Sequence, residues 1–206
     1  MKAGKNGKLI QKYNKQAEKY DRIREKQFQK EWRENLLNGA QGEVLEIAVG
    51  AGGNFPYYKR GAISSITAVD FSPAMLEKAR EAAGLYSLPV NLIETDIYDA
   101  SFKENSFDTI VSTLSLCGYP DPLRVLKQLQ HWCRPDGSIL LLEHGISRNA
   151  MISFIQKAVN PLACKAAGCF QDRDIMEILS RSPLEVIQAE HHWKGIFHLI
   201  WARPGK

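Results

Sequence analysis

Val44-Leu45-Glu46-Ile47-Ala48-Val49-Gly50-Ala51-Gly52-Gly53-Asn54 is the stretch on which the reading of this chain turns. Val44, Leu45 and Ile47 form a short apolar run of the kind a parallel strand shows when both faces are covered. Gly50, Gly52 and Gly53 follow, and residues without a Cβ reach positive φ and let backbone approach a ligand closely. A strand running into a glycine turn that opens toward a helix N-terminus is where α/β proteins hold a nucleotide. The spacing does not meet the G-x-G-x-x-G of a dinucleotide fold. Glu46, inside the strand, would repel a pyrophosphate but suits a cationic ligand with an amino group.

S-Adenosylmethionine, with an ammonium, a sulfonium and no phosphate, is a ligand of that kind. Outward from the turn, the chain alternates. Ile63 to Phe71, Val90 to Glu94, Thr109 to Leu114 and Ser138 to Glu143 read as strands, with helices over Pro73 to Ala83 and Leu123 to Trp132. Ser72-Pro73 is a helix start, Ser as N-cap and Pro at the first helical position. Leu184 to Ala189 and Phe197 to Ala202 break the rhythm: their connection is too short for a crossover helix, so they pair antiparallel. The fold class is α/β, a doubly wound, mostly parallel seven-stranded sheet with an antiparallel C-terminal hairpin. The ending differs from the dehydrogenase pattern.

The chain has 206 residues, 44% hydrophobic and 24% charged, which fits one domain with a sizeable core. No apolar run approaches the ~20 residues of a membrane span, and the basic N-terminus lacks the apolar stretch of a signal peptide. The expectation is a cytoplasmic protein, monomer or homodimer. Cys117, Cys133, Cys164 and Cys169 form no C-x-x-C pair and the five histidines add no zinc spacing, so reduced cysteines and no metal are expected. Cys117 or Cys169 could instead line a substrate pocket.

The net charge of +4 is unevenly placed. Residues 1–36 hold eight Lys and three Arg against four Glu and one Asp, a net of +6, so the remainder carries −2. From about Lys8 to Leu37, the residues Ile10, Tyr13, Ala17, Tyr20, Ile23, Phe28, Trp32 and Leu36 recur near helical spacing, giving one or two amphipathic helices. Such a segment packs on the domain as a solvated helix, makes a peripheral membrane contact with anionic lipid, or meets nucleic acid. Residues 1–37 are read as a basic helical segment and 38–206 as the domain.

Over nearly its full length the chain resembles class I S-adenosylmethionine-dependent methyltransferases. Leu45 to Gly52 resembles their first motif, Val69-Asp70-Phe71-Ser72 the acidic end of the second strand, and Thr95-Asp96-Ile97 the adenine loop. Ser106 to Val111 resembles the fourth strand and Arg134-Pro135-Asp136-Gly137 the turn before the fifth. The resemblance implies S-adenosylmethionine as cofactor, with Asp70 on both ribose hydroxyls and Asp96 with the Ile97 backbone on the adenine. Phe71 and Met75 would pack against ring or ribose. Glu46, Ala48, Gly50, Gly52, Asn54 and the backbone near Thr113 would surround the methionine end. Ala48 departs from the family, which usually has Gly there. Tyr13 to Asp21 resembles the Y-x-x-x-A-x-x-Y-D segment of quinone, sterol and small-molecule methyltransferases, whose tyrosines form a lid; Tyr13, Ala17 and Tyr20 on one helix face fit core packing equally.

Within that family, the run Gly52 to Tyr58 with Thr113 to Cys117, Glu143-His144 and Gly168-Cys169 resembles the methyltransferase-like thiol S-methyltransferases. Chain length and motif style also resemble bacterial phosphatidylethanolamine N-methyltransferases and ubiquinone/menaquinone C-methyltransferases. The acceptor implied is a small-molecule or lipid group, thiol first. His144, directly after strand five, is the candidate base, and Cys117, Tyr119 and Cys169 the candidate pocket. Met151 to Phe170 reads as an inserted cap that shapes the pocket, whereas His191, His192 and His198 read as surface or packing residues. Absence of an N-P-P-Y-like motif after strand four argues against amine chemistry on a nucleic-acid base. Two rivals of another class stand beside this reading, a cofactor-binding module without transfer and an RNA-binding protein using the basic helix.

Overall fold

The computed structural model describes residues 3–24 and 29–205. Its centre is β1 (Gly42–Ile47), whose last four residues are buried, with Val44 in the apolar core on one face and Leu45 and Ile47 in the core on the other. β2 (Ile63–Asp70), β3 (Val90–Glu94), β4 (Phe107–Thr113), β5 (Cys133–His144), β6 (Leu184–His192) and β7 (Phe197–Pro204) complete one sheet in the order β3-β2-β1-β4-β5-β7-β6. β1 pairs parallel with β2 and β4, and β2–β3 and β4–β5 are also parallel. β7 runs antiparallel to both β5 and β6, the hairpin expected from the short connection. The strand order therefore reverses between β1 and β4, and the crevice at their carboxyl ends is where such sheets bind ligands.

Helices cover both faces. α1 (Ala3–Ile23) and α2 (Lys30–Leu37) precede the sheet, and Leu36 and Leu37 of α2 are fully buried in the core that also takes Leu76, Ala79 and Ala82 of α3 (Pro73–Leu85). Val125, Leu126, Leu129 and Trp132 of α4 (Pro122–Trp132) and Ile175 and Leu179 of α6 (Ile175–Ser180) fill the other face. Phe28, counted on the N-terminal apolar face, lies outside the described residues. Helix starts follow local chemistry. The Ser72 hydroxyl accepts from the Met75 N–H ahead of Pro73, and Asp121 does the same for Arg124 ahead of Pro122.

Two expectations are corrected. The glycine turn does not lead into an α-helix: two 3₁₀ turns, Phe55–Tyr57 and Arg60–Ala62, carry the chain to β2. Nor does Gly53 take a positive φ. Gly50 (φ 56) and Gly52 (φ 76) do, together with Ala48 (φ 49). A Cβ on Gly52 would meet the Phe55 ring at 2.7 Å, so that glycine is also required by packing. The segment read as a cap is a helix, α5 (Ala150–Ala167), opened by the Asn149 side chain and closed by Gly168 at φ 74.

Candidate functional site

Asp70 ends β2, and both its oxygens are held by backbone. The Gly50 N–H donates to Oδ2 and the Ser72 N–H to Oδ1, each at 2.9 Å. Burial pushes this carboxyl up to about 6 against those two bonds. A Cβ on Gly50 would meet nothing within 4 Å, so the backbone here borders open space beside a carboxylate with lone pairs to spare. Asp96 lies one strand over, accepting from the Tyr98 N–H at 3.0 Å. Ile97 buries its side chain in the core, and its carbonyl accepts from Gln128.

At the carboxyl ends of β1 and β4 a second cluster forms. Glu46 accepts from the Tyr58 hydroxyl at 2.7 Å and from Asn54 Nδ2 at 3.0 Å, and the same Asn54 nitrogen donates to Thr113 Oγ1 at 3.2 Å. Arg33 of α2 closes the cluster, its Nη1 donating to Asn54 Oδ1 and to Thr113 Oγ1. Burial pushes Glu46 up to about 7, opposed by Tyr58, Asn54 and then the Arg33 charge. Arg33 is only 5% exposed, and its Nε has no partner among the described residues. Nothing in the sequence marked Arg33: a charge on a basic amphipathic helix reads as solvent-facing. Ala48 and Leu114, at φ 49 and φ 54, are left-handed non-glycine residues just past β1 and β4, on either side of the crevice. Such strain collects at functional sites.

At the far end of the crevice stands His144, the last residue of β5. Its Nε2 lies 2.8 Å from Cys169 Sγ, and Cys169 Sγ lies 2.7 Å from Cys117 Sγ. All four cysteines are free thiols. The contact with Cys117, and after it His144, pull the Cys169 thiol well below its ordinary range against its burial. Glu143 is fully buried and anchors the turn that carries Cys117, accepting from Ser112 Oγ at 2.8 Å and from the Ser115 and Leu116 N–H groups. Tyr119 lies between this cluster and the adenine loop: its phenol hydrogen-bonds with Ser115 of the same turn, burial raises it with Asp70, Glu143 and Asp96 adding, and its ring stands edge-on to Tyr98, 6.0 Å between centroids.

α1 lies across these ends. The Tyr13 ring meets Phe71 edge-on at 5.4 Å, and Asn14 Oδ1 accepts from the Ser72 hydroxyl at 2.7 Å. Met75 packs with Ala17 of the helix and Ala51 of the glycine turn. Burial raises the Tyr13 and Tyr20 phenols, and Asp70, Cys117 and Cys169 add to both shifts, while Tyr20 remains 40% exposed.

A carboxylate at a strand end, a glycine turn bordering open space and a buried arginine at the carboxyl ends of β1 and β4 fit a ligand carrying ribose hydroxyls and an amino-acid end. Residues 45–141 match the family described as "Methyltransferase domain". The fold around them is that of the class I S-adenosylmethionine-dependent methyltransferases. It is 29% identical to "Methyltransferase OMS1, mitochondrial" of Saccharomyces cerevisiae over 93% of its own length and 45% of that protein's. The chain thus spans less than half of this relative. It is 29% identical to the phosphatidylethanolamine N-methyltransferase of Cereibacter sphaeroides over 74% of each. Among solved structures, a Haloferax volcanii chain in complex with the Trm112 methyltransferase activator superposes with a TM-score of 0.73, covering 94% of this chain and 98% of that one at 13% identity. That likeness shows the fold.

With the methyltransferase fold in place, the crevice brings together Tyr13, Glu46, Ala48, Gly50, Gly52, Asn54, Asp70, Phe71, Met75 and Thr113. His144, Cys117 and Cys169 converge at its far end, by the last residue of β5. Arg33 and Tyr58 join from outside the sequence-derived set. No helix among the described residues is long and apolar enough to cross a membrane.

Proposed function

We propose that this methyltransferase acts on a small, rather apolar thiol. The observation that carries the reading is the Cys117–Cys169–His144 cluster at the end of β5, a polarisable site that can receive a proton. When bound, S-adenosylmethionine supplies an electrophilic methyl group on sulfonium. Asp70 accepts from the ribose hydroxyls, Asp96 and the Ile97 backbone hold the adenine, and Glu46 with Asn54 orients the ammonium. Arg33 takes the carboxylate with its unpartnered nitrogen. α1 closes over the crevice through Tyr13 and Tyr20 and excludes water.

In-line displacement needs acceptor, methyl carbon and sulfur in a row, and holding that row supplies several kcal/mol of the barrier. A thiol, with pKa near ~8.5, gives up its proton more readily than an amine near ~10. His144 Nε2 faces Cys169, so the acceptor proton passes to the Cys169–His144 pair rather than to a solitary imidazole. Mass spectrometry of methylated product across thiol, phospholipid amine, quinol and RNA acceptors tests the reading. Thiol methylation is expected; a product from another acceptor class alone overturns it.

A second reading, a phospholipid amine or quinol acceptor, is favoured by one observation. Met151, Phe154, Ile155, Val159 and Leu162 of α5 form an exposed apolar stripe, Phe154 73% and Leu162 71% exposed, with Lys157 and Lys165 exposed beside it. Such a helix lies at a lipid interface with its lysines toward anionic headgroups. Sedimentation with phosphatidylglycerol vesicles, lost in Phe154→Glu/Leu162→Glu, supports it; equal sedimentation of the variant removes it.

A further inference from the structure

Cys117, His144 and Cys169 come from three elements, the turn after β4, the end of β5 and the residue after the cap of α5. Their ligand atoms all lie within 4.8 Å of one another. They are held there by contacts that do not involve the sulfurs. The Phe170 N–H donates to the Cys117 carbonyl at 3.0 Å, tying the two cysteine segments together. Arg173 Nη1 donates to the Leu116 carbonyl at 2.6 Å, and Glu143 grips the other side of the same turn through the Ser115 and Leu116 N–H groups. Gly168, at φ 74, turns the chain so that Cys169 faces back to β5.

We propose that this cluster is a metal site taking one zinc ion through Cys117 Sγ, His144 and Cys169 Sγ. Two thiolates and an imidazole form the donor set of a borderline-soft divalent cation. A tetrahedral zinc with bonds of about 2.3 Å to sulfur and about 2.0 Å to nitrogen spaces its ligand atoms about 3.5 Å apart. The two contacts on Cys169, at 2.7 and 2.8 Å, are closer than that, and the 4.8 Å limit encloses the third. Side-chain shifts of about 1 Å centre the ion while the backbone ties stay in place. Glu143, beside His144 and holding the Cys117 turn, plays the orienting part that carboxylates take behind metal ligands.

Three protein ligands leave the fourth position open, the arrangement of a catalytic rather than a structural zinc. Resting on the thiol reading above, that position takes the acceptor sulfur. With the ion bound, coordination takes over the deprotonating part that the Cys169–His144 pair plays without it: the thiol loses its proton to solvent as it coordinates, and the bound thiolate gives its electron pair to the methyl carbon. The sulfonium carbon–sulfur pair returns to the cofactor's sulfur, the metal stays divalent, and the neutral thioether is a poor ligand and leaves.

The experiment is titration of the reduced, metal-stripped full-length protein with Co²⁺, followed by Zn²⁺ competition. One equivalent should bind with sulfur-to-cobalt charge-transfer bands and tetrahedral d–d bands, displaced by Zn²⁺. Cys117→Ser and Cys169→Ser should each weaken binding about a hundredfold or more, while Cys164→Ser leaves it unchanged. Calorimetry with S-adenosylmethionine checks that the serine variants remain folded. Absence of the bands overturns the site, as does a Cys117–Cys169 disulfide in the as-purified protein that persists when metal is supplied. Addition of a small thiol should shift the d–d bands; bands that form but do not move overturn the thiolate step alone. Methylthioether product without cobalt bands would sink the metal and keep the thiol reading, whereas cobalt bands without any such product would do the reverse.

Discussion

The Gly50 N–H and the Asp70 carboxylate meet at 2.9 Å, joining the glycine turn of β1 to the acidic end of β2. The bond sets where a ribose would lie, over backbone that bears no side chain. If Asp70 accepts both ribose hydroxyls, two charge-assisted bonds at about 1.5–3 kcal/mol each are at stake. Asp70→Ala should weaken S-adenosylmethionine binding at least about 100-fold by calorimetry. A loss under tenfold would move the ribose elsewhere.

Cofactor affinity should also depend on pH. Burial holds the Asp70 carboxyl at about 6, above its ordinary 3.8. The free protein therefore keeps that proton at mildly acid pH, whereas the ribose hydroxyls need the ionised form. Affinity is complete above about pH 6 and falls as pH drops, approaching tenfold per unit from this group. Glu46, held at about 7, adds to the fall as it takes up a proton. Calorimetry from pH 8 to pH 5 reads the slope, and Asp70→Asn should flatten it; an equal slope in the variant would assign it to other groups.

Arg33 stands against Asn54 and Thr113 and lends its charge to Glu46. Arg33→Met should weaken cofactor binding tenfold or more, as a lost charge-assisted bond requires. It should also change stability with a particular sign. Glu46 has a folded pKa above its unfolded value, so the folded state holds the extra proton and stability falls as pH rises toward that pKa. Without Arg33 that pKa climbs further, and the fall extends above pH 7. Thermal melts should thus show Arg33→Met more destabilised at pH 9 than at pH 6; equal losses would mean that Glu46 does not depend on this charge.

Ala48 occupies a backbone conformation that costs an L-residue about 1–2 kcal/mol. Glycine there removes the strain but adds about 0.4–1 kcal/mol of unfolded-chain entropy. Ala48→Gly should therefore stabilise the protein by about 0.5–1 kcal/mol, raising Tm by about 1–4 °C for a domain of this size. A lower Tm would show that the methyl group packs better than its φ angle suggests.

What could be read from the chain was whatever local chemistry dictates. The apolar run of β1, the Ser72-Pro73 helix start and the short link between β6 and β7 each specify their structure within a few residues. Asp70 was legible because strand ends are predictable once the alternation is. Arg33 was not, because its burial comes from α2 packing on a sheet formed later in the sequence. Positive φ was assigned to Gly53 when Ala48 takes it, since residue type reports tolerance for a conformation and not its presence. The Cys117, His144 and Cys169 cluster left no spacing to find, because its members come from the turn after β4, the end of β5 and the residue beyond the α5 cap, which meet only once the sheet has formed.

Asn14 bonds the Ser72 hydroxyl, and that hydroxyl also caps α3, so α1 is fastened directly to the helix start beside Asp70. Tyr13 leans edge-on against Phe71 next to it, and Lys78 of α3 pairs with Glu18 of α1 at 3.1 Å. These polar and aromatic contacts contribute only about 0.5–1.5 kcal/mol each, and beside them stand the packing of Ala17 on Met75 and Ala51 and the Lys12 bond to the Lys165 carbonyl, so the helix can open without disturbing the sheet. Asn14→Ala and Tyr13→Ala should therefore speed release of bound S-adenosylmethionine, about threefold to tenfold each, with association barely altered. Stopped-flow displacement measures both rates. If α1 only completes the core, the same variants will lower Tm and leave the release rate as it was.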